Sequence, residues 1–262
     1  MDISVQSFTV AHLRCRPEVV ERGGFVMGFD PATPNPYVNY ATPLPGAEPT
    51  AGDVRALVEE FQRRGLRPRL EFASDSAPAV QPALLAAGFA VEQEHEYLVC
   101  TPGTLVPAPR GTEATAAPAS LVEAPGSDED YLALDGALAE AFGGEFPASA
   151  EGAARLRRTA ESGGAVRMVR APGGVVAGGA LCTAPQVGTA ELAGVGTRPE
   201  FRGRGFAQAV TAELAATLFA RGAGSVWLEY SGEGSRRVYE RVGFRPQGTR
   251  LYVSLPEHDD QG

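Results

Sequence analysis

Apolar residues along this chain recur with two periods, one typical of amphipathic helices and the other typical of strands with one buried face. In residues 50–65, the apolar side chains of Val54, Leu57 and Phe61 lie three to four positions apart, behind a threonine that suits a helix N-cap. Across residues 89–100, polar and apolar residues alternate instead. The elements predicted for the first hundred residues are strands at 24–29, 37–44, 69–72 and 89–100, and helices at 50–65 and 79–88.

The second half of the chain predicts a longer and more regular series of elements. Short turns, Pro-Gly-Gly and Gln-Val-Gly, separate three strand-like stretches and therefore favour an antiparallel meander. Residues 225–230 are almost entirely apolar, as expected of a buried parallel strand. The predicted elements are a strand at 120–124, helices at 129–142 and 149–162, strands at 165–171, 174–185 and 188–197, a helix at 205–221, a strand at 225–230, a helix at 234–242 and a strand at 248–255.

A segment rich in Pro, Thr, Ala and Gly separates the two series and predicts a linker. The ends of the two halves share one layout, in which "RRGLRPRLEF", a helix and "AAGF" correspond to "ARGAGSVWLEY", a helix and "RVGF". The offset is about 157 residues, which indicates a duplicated domain rather than a solenoid. The predicted domains are 1–100 and 120–256, with a linker at 101–119 and a polar tail at 257–262.

The composition indicates a globular protein without a membrane span or a metal site. Apolar residues make up 44% of the chain and charged residues 21%, which is typical of globular domains. No apolar run is long enough to span a membrane, and the N-terminus lacks the features of a secretory signal. The three cysteines and three histidines are scattered without metal-ligand spacing, so we expect no metal site and reduced thiols in a cytoplasm.

The charged residues exclude lysine-dependent reactions and argue against some classes of partner. All 23 basic residues are arginines, as expected of a GC-rich, bacterial genome, so no reaction that needs a phosphate-binding or Schiff-base lysine is available. The net charge of −9 argues against nucleic acid as a partner and favours a cationic one.

One glycine-rich junction stands out against this acidic background. After a strand ending at Thr197, the sequence Arg202-Gly203-Arg204-Gly205 leads into an apolar helix. The first amides of a helix have no internal partners and lie at the positive end of its dipole, so this junction suits a pyrophosphate or another anion. The alternative is a tight turn with solvated arginines. A dinucleotide fingerprint is excluded because a glutamine stands where its third glycine belongs.

The stretches "TRPEFRGRGFAQAV" and "VYERVGFRP" resemble the GNAT superfamily of acetyl-CoA-dependent N-acetyltransferases. Arg202-x-x-Gly205-x-Ala207 matches the R/Q-x-x-G-x-G/A loop of that superfamily, and the order of elements from 120 to 255 matches its fold. The resemblance covers about half of the chain. It implies an α/β (α+β) fold with a mixed, mostly antiparallel sheet flanked by helices, duplicated with an incomplete N-terminal copy.

The resemblance also implies how coenzyme A would be held. The loop amides would cradle the pyrophosphate, and the end of the preceding strand would pair with the pantetheine arm and polarise the acetyl carbonyl. The residues implied in binding acetyl-CoA as cosubstrate are Val195, Gly196, Thr197, Arg202, Gly203, Arg204, Gly205, Phe206, Ala207 and Ser235.

Tyr239 occupies the position at which the superfamily carries its general acid, which protonates the departing thiolate. Its alternative role is packing against Phe244. Gly232 stands where the superfamily usually has an asparagine, which removes one polar contact to the pantetheine arm.

Two carboxylates are candidates for the general base that deprotonates the amine. Glu191 lies on the strand before the loop, where many members carry a glutamate, and Glu229 ends the next strand. Each could equally be an edge or surface residue.

The first half lacks both motifs, with "PLPGAEPTAG" before its helix at 50–65 and Leu84 in the position of the tyrosine. We expect it to bind no coenzyme A and to shape the substrate cleft. The predicted function is acetyl transfer to a primary amine of an unidentified small molecule or peptide. Alternatives are a non-catalytic acyl-CoA-binding regulator and a transferase with another acyl donor. A homodimer is left open.

Overall fold

A computed structural model describes residues 4–107, 121–144 and 147–256. Most of the predicted linker and the predicted tail at 257–262 therefore lie outside the described residues. The chain forms two compact units, Met1–Tyr97 with Gln247–Gly262, and Leu98–Pro246.

The first unit contains three helices and the strands of a mixed sheet. In chain order its elements are α1 (Ser4–Leu13), β1 (Glu18–Arg22), β2 (Phe25–Phe29), β3 (Tyr40–Pro43), α2 (Ala51–Gln62), β4 (Arg69–Ala73), α3 (Val80–Ala86) and β5 (Ala90–Cys100). Strands β1, β2 and β3 pair antiparallel, whereas β3 and β4 run parallel.

The second unit contains four helices and a strand meander. Its elements are β6 (Val122–Glu123), α4 (Asp128–Ala141), α5 (Ala150–Glu161), β7 (Ala165–Arg170), β8 (Val176–Cys182), β9 (Thr189–Thr197), α6 (Phe206–Ala220), β10 (Ser225–Glu229) and α7 (Gly232–Val242). The last strand, β11 (Arg245–Ser254), begins at the end of this unit and lies in the first unit from Gln247 onward. Strands β6 to β9 pair antiparallel in sequence order, and β10 pairs parallel to β9. The mixed, mostly antiparallel sheet flanked by helices is confirmed.

The boundaries of the units differ from the predicted domains. Residues 120–256 were predicted to form one domain, but the chain from Gln247 onward belongs to the first unit. The reason is long-range backbone pairing, since β11 pairs antiparallel with β4 from Arg250↔Ala73 to Ser254↔Arg69. Conversely, Leu98 and Cys100 at the end of β5 are buried in the core of the second unit. Local sequence patterns do not indicate that the end of β5 belongs to the second unit or that most of β11 belongs to the first.

Two elements of the first unit were not predicted. Helix α1 buries Gln6 and Thr9 along with its apolar side chains, so its sequence shows no clean apolar stripe. Gln6 is tolerated there because its amide donates to the Thr42 hydroxyl (2.8 Å) and the Pro43 carbonyl (2.6 Å), and accepts from the Ala73 amide (2.8 Å). Strand β1 is largely exposed and shows no burial alternation.

Helix α6 is the central element of the second unit. Its buried residues include Phe206, Val210, Leu214 and Leu218, which pack with apolar residues from β7 to β10. Helices α4 and α5 bury a separate set that includes Leu134, Leu156 and Met168. Two helical layers thus hold the meander. No helix among the described residues is both long and apolar enough to cross a membrane.

Candidate functional site

A cleft of about 730 Å³ opens in the second unit where β9 ends and α6 begins. Its walls are the end of β9, the loop before α6, the first turn of α6, one face of α7 and the end of α4. The predicted donor-binding residues that line it are Val195, Gly196, Thr197, Arg202, Gly203, Gly205, Phe206, Ala207 and Ser235. The structure therefore brings together all the residues assigned to coenzyme A binding except Arg204.

The loop presents backbone amides to this cleft. Gly203 and Gly205 adopt left-handed conformations, with φ of +76° and +80°. Gly205 is the N-cap of α6, and no side chain caps the helix there. Within the described part of the chain, the amides of residues 203–208 donate to no backbone carbonyl or side chain. Unpaired amides at the positive end of a helix dipole form an anion-binding site.

The arginines of the loop have internal partners. Arg202 donates through Nε to the Thr197 carbonyl (3.2 Å) and through Nη2 to the Ala141 carbonyl (2.8 Å). It thereby ties the loop to the C-terminal end of α4. Arg204 instead donates to the Glu200 carbonyl (3.1 Å), with its guanidinium 5.2 Å from the centre of the Phe201 ring. The positive charge at this junction therefore helps to shape the loop.

A β-bulge lies in β9 immediately before the cleft. The register passes from Gly179↔Gly196 to Leu181↔Ala193, so β9 carries one extra residue against β8. Gly194 lies within this bulge with φ of +63° and is exposed. The bulge redirects the backbone of Val195–Thr197, which lines the cleft.

Strands β9 and β10 pair over only part of their length. Their recorded register ends at Glu191↔Trp227, and no later residue of β9 pairs with β10 among the described residues. The two parallel strands therefore separate beside the cleft. The edge of β9 beyond Glu191 is left available to an extended ligand.

One face of α7 completes the cleft. Gly234, Ser235, Val238 and Arg241 lie at helical spacing and line it. The Ser235 hydroxyl donates within the helix, to the carbonyls of Ser231 (2.5 Å) and Gly232 (2.9 Å). Because its proton is used in these bonds, the Ser235 hydroxyl can contact a ligand only as a hydrogen-bond acceptor.

Arg241 is a cleft residue that the sequence analysis did not identify. Its side chain is exposed, and it has no ion pair with any described carboxylate. The available signal was its spacing of three residues from Val238 and six from Ser235, on the same helical face. It adds positive charge to the α7 side of the cleft.

Tyr239 lies in the core beside the cleft rather than among the residues that line it. Its side chain is 8% exposed and packs edge to face against Phe244. Burial raises the pKa of its phenol to about 12, so the hydroxyl stays protonated at neutral pH. Its position confirms the packing contact, and its role as an acid stays a prediction.

The two candidate bases lie where β9 and β10 separate. Glu191 belongs to the last register pair, with Trp227, and Glu229 follows two residues later on β10. Alternation of side chains along strands places both glutamates on the face opposite the α6 core, to which Ala190 and Leu228 belong. Both are partly buried and neither lines the cleft. The choice between them stays open.

Metal chemistry has no candidate centre within the described ranges. No group of three or more His, Cys, Asp or Glu residues there is arranged to hold a metal ion. The three cysteines are unpaired.

Comparison with known families gives one match. Residues 134–244 match the sequence model of the acetyltransferase (GNAT) family. This range contains the bulged strand, the glycine loop and Tyr239. No curated protein matches the chain significantly.

Solved structures share the fold over nearly the whole chain. A GCN5-related N-acetyltransferase from Kribbella flavida is 22% identical, with a TM-score of 0.79 over 98% of this chain and 97% of that chain. A GCN5-related N-acetyltransferase from Sphaerobacter thermophilus is 18% identical, with a TM-score of 0.63 over 89% and 78%. A tandem GNAT protein from the clavulanic acid biosynthesis pathway is 14% identical, with a TM-score of 0.62 over 97% and 89%. These similarities establish the architecture of both units.

Proposed function

This chain belongs to the acetyltransferase (GNAT) family through residues 134–244, and we propose that it transfers an acetyl group from acetyl-CoA to a primary amine. The observation that carries the proposal is the loop at residues 203–208, whose amides donate to no other group among the described residues and which, apart from Arg204, lines a cleft beside the separated strands. This combination provides an anion site and an open strand edge within one cavity.

The residues of the cleft suit acetyl-CoA. Its pyrophosphate would be held by the amides of the loop and the first turn of α6, where the glycines leave the backbone accessible. Its pantetheine arm would extend along the unpaired edge of β9, at Val195–Thr197. Arg241 would add a charge-assisted contact to a phosphate. When bound, acetyl-CoA supplies an activated acyl group.

Three features of the chain would serve the transfer. A backbone amide of the bulged segment of β9 would stabilise the negative charge that develops on the acyl carbonyl oxygen. Glu191 or Glu229 would accept a proton from the amine, directly or through water. Tyr239, which burial keeps protonated, would donate a proton to the sulfur.

The first unit has no comparable anion site at its longest helix. The N-cap of α2, Thr50, accepts from the Asp53 amide, and the Asp53 carboxylate accepts from the Thr50 amide (2.9 Å). This capping box occupies the helix end with side chains of the chain itself. It supports the expectation that the first unit binds no coenzyme A.

A second candidate function is a non-catalytic acyl-CoA-binding protein. The observation that favours it is the position of Tyr239, which is buried in the core and does not line the cleft. Such a protein would bind acetyl-CoA through the same loop and release no thiol with any amine. A transferase that uses another acyl donor would release thiol from that donor instead.

The test combines binding with turnover. Purified full-length protein is titrated with acetyl-CoA by calorimetry, and free thiol is then followed with a panel of primary amines and with propionyl-CoA as a competing donor. Binding with amine-dependent thiol release from acetyl-CoA supports the proposal. Binding without release favours the non-catalytic protein, and absence of binding refutes both.

We also propose that the protein works in a bacterial cytoplasm. The arginine-only basic composition supports a bacterial origin, and the unpaired cysteines suit a reducing compartment.

A further inference from the structure

A second cavity, of about 610 Å³, lies in the second unit between α4, α5 and the bulged strand. Its walls are largely apolar, with Leu138, Phe142, Leu156 and Leu181 among the residues that line it. A cavity of this size and character is typical of a site for a small organic molecule.

This acceptor cavity, as we name it, adjoins the proposed acetyl-CoA cleft. Phe142 lines both, and its side chain is 63% exposed despite its size. Gly194 of the bulge lines the acceptor cavity, whereas the next residue, Val195, lines the cleft. A molecule in the cavity would therefore approach the bulged segment of β9, where the acyl carbonyl is expected.

The acidic side chains of the acceptor cavity already have partners. Asp135 accepts a hydrogen bond from the Ser149 amide (2.9 Å) and so fixes the start of α5. Glu151 is paired with Arg158 (2.7 Å). Asp135 is thus engaged by a backbone amide, and Glu151 by an arginine on its own helix.

Arg155, the basic residue that lines this cavity, has no such partner among the described residues. Arg155 lines the cavity and is exposed, and within the described chain its guanidinium pairs with no carboxylate. Glu151, four residues earlier on the same helix, is the natural i,i+4 partner but bonds to Arg158 instead. The cavity therefore offers apolar walls and one open positive charge.

We propose that the acceptor is an amine with an apolar body and a carboxylate, that is, a hydrophobic amino acid or a close derivative. This inference rests on the proposed acetyl transfer. The carboxylate pairs with Arg155, the apolar body lies against Leu138, Phe142 and Leu181, and the amine is directed toward the bulge at Gly194.

The experiment compares matched acceptors in matched variants of the full chain. L-phenylalanine and L-leucine are paired with their amides, which keep the amine and the apolar body and lose the carboxylate. Arg155→Gln removes the open charge. Arg157→Gln is the control, because Arg157 lies on the same helix but pairs with Asp128 and lines a different groove.

The expected result is a KM for the amino acids that rises by about 3- to 30-fold in Arg155→Gln, as for loss of a partly exposed charge-assisted contact. The KM for the amides stays within about twofold, and the control changes neither by more than that. Amino acids and their amides differ in the pKa of the amine, which itself changes KM. This difference is the same for every protein, so it cancels when the KM of each variant is divided by the KM of wild type for the same acceptor.

Three outcomes would overturn the inference. One is an equal effect of Arg155→Gln on acids and amides, and another is no effect on either. The third is thiol release with polyamines or peptide amines but with no amino acid, which leaves the acetyltransferase proposal intact. Absence of acetyl-CoA binding would instead refute the proposed function itself, and this inference with it.

Discussion

The ring of Tyr239 meets the ring of Phe244 edge to face, with centroids 6.2 Å apart and planes at 62°. Both side chains belong to the apolar core of the second unit. Tyr239 follows Val238 on α7, and of these two residues Val238 lines the cleft whereas Tyr239 is part of the core. One residue thus combines a packing contact with a phenol that stays protonated at neutral pH.

Replacing Tyr239 with Phe should separate these two roles, since the ring and its packing remain while the proton donor is lost. We expect kcat to fall by about 10²-fold, at the lower end of the usual contribution of acid–base help, because a phenol with a raised pKa is a weaker acid. Thiol release at saturating substrates measures this. Unchanged turnover, with chemistry shown to be rate-limiting, would make Tyr239 a packing residue only. Affinity for coenzyme A serves as the control and should not change.

Glu191 and Glu229 give distinguishable results. If Glu191 is the base, Glu191→Gln should lower kcat/KM by about 10²-fold at neutral pH. The loss should shrink as pH approaches the pKa of the amine, because the acceptor then needs no base. Glu229→Gln is the matched control, since it neutralises a carboxylate on the same face of the sheet. The reverse pattern would assign the base to Glu229, and a flat response in both variants would contradict a carboxylate base.

Substitutions of Arg202 and Arg204 should have different effects on coenzyme A binding, although the two residues are only two positions apart. Arg202→Gln removes the guanidinium that joins the loop to the carbonyls of Thr197 and Ala141. We expect a loss of about 0.5–1.5 kcal/mol in the free energy of unfolding and an affinity for coenzyme A that is weaker by about tenfold. Arg204→Gln should leave the affinity for coenzyme A within about twofold of wild type, since Arg204 does not line the cleft. Equal effects of the two variants would contradict this division.

His12 in the first unit should make stability depend on pH. Burial, together with Arg16 and Arg250, lowers the pKa of His12 to about 4. Since the folded-state pKa lies below the unfolded value of about 6.5, the stabilisation is complete above that value and is lost as pH falls toward 4. We expect wild type to lose about 2–3 kcal/mol more than His12→Gln between pH 7.5 and 4. Urea unfolding of both proteins measures the difference, and parallel losses would contradict it.

Periodicity and turn residues were sufficient to predict the elements of the second unit. Its helices and strands end within a few residues of the predicted positions, apart from the shorter β6. The geometry of the loop could be predicted because it depends on local features, namely two left-handed glycines and an uncapped helix end. The bulge at Gly194 could not, because a register shift is a property of two strands together.

Other features depend on contacts between distant parts of the chain. Helix α1 was missed because the polar Gln6 is buried, which only its bonds to Thr42, Pro43 and Ala73 make favourable. The open charge of Arg155 was equally hidden, since its spacing from Glu151 favours an ion pair that the structure does not contain. The role of Gln6 depends on its bonding partners in distant strands, and that of Arg155 on the pairing of Glu151 with Arg158.

The most direct test of the account is a calorimetric titration of coenzyme A into wild type, Gly205→Val and Gly222→Val. Gly205 and Gly222 lie at opposite ends of α6, and both are left-handed, with φ of +80° and +92°, so the two substitutions cost similar backbone strain. Only Gly205 lies at the amides that face the cleft. We predict that Gly205→Val weakens binding by at least about tenfold, as for loss of one charge-assisted contact, while Gly222→Val binds like wild type. Equal affinity of all three proteins for coenzyme A would contradict the assignment of this loop as the pyrophosphate site.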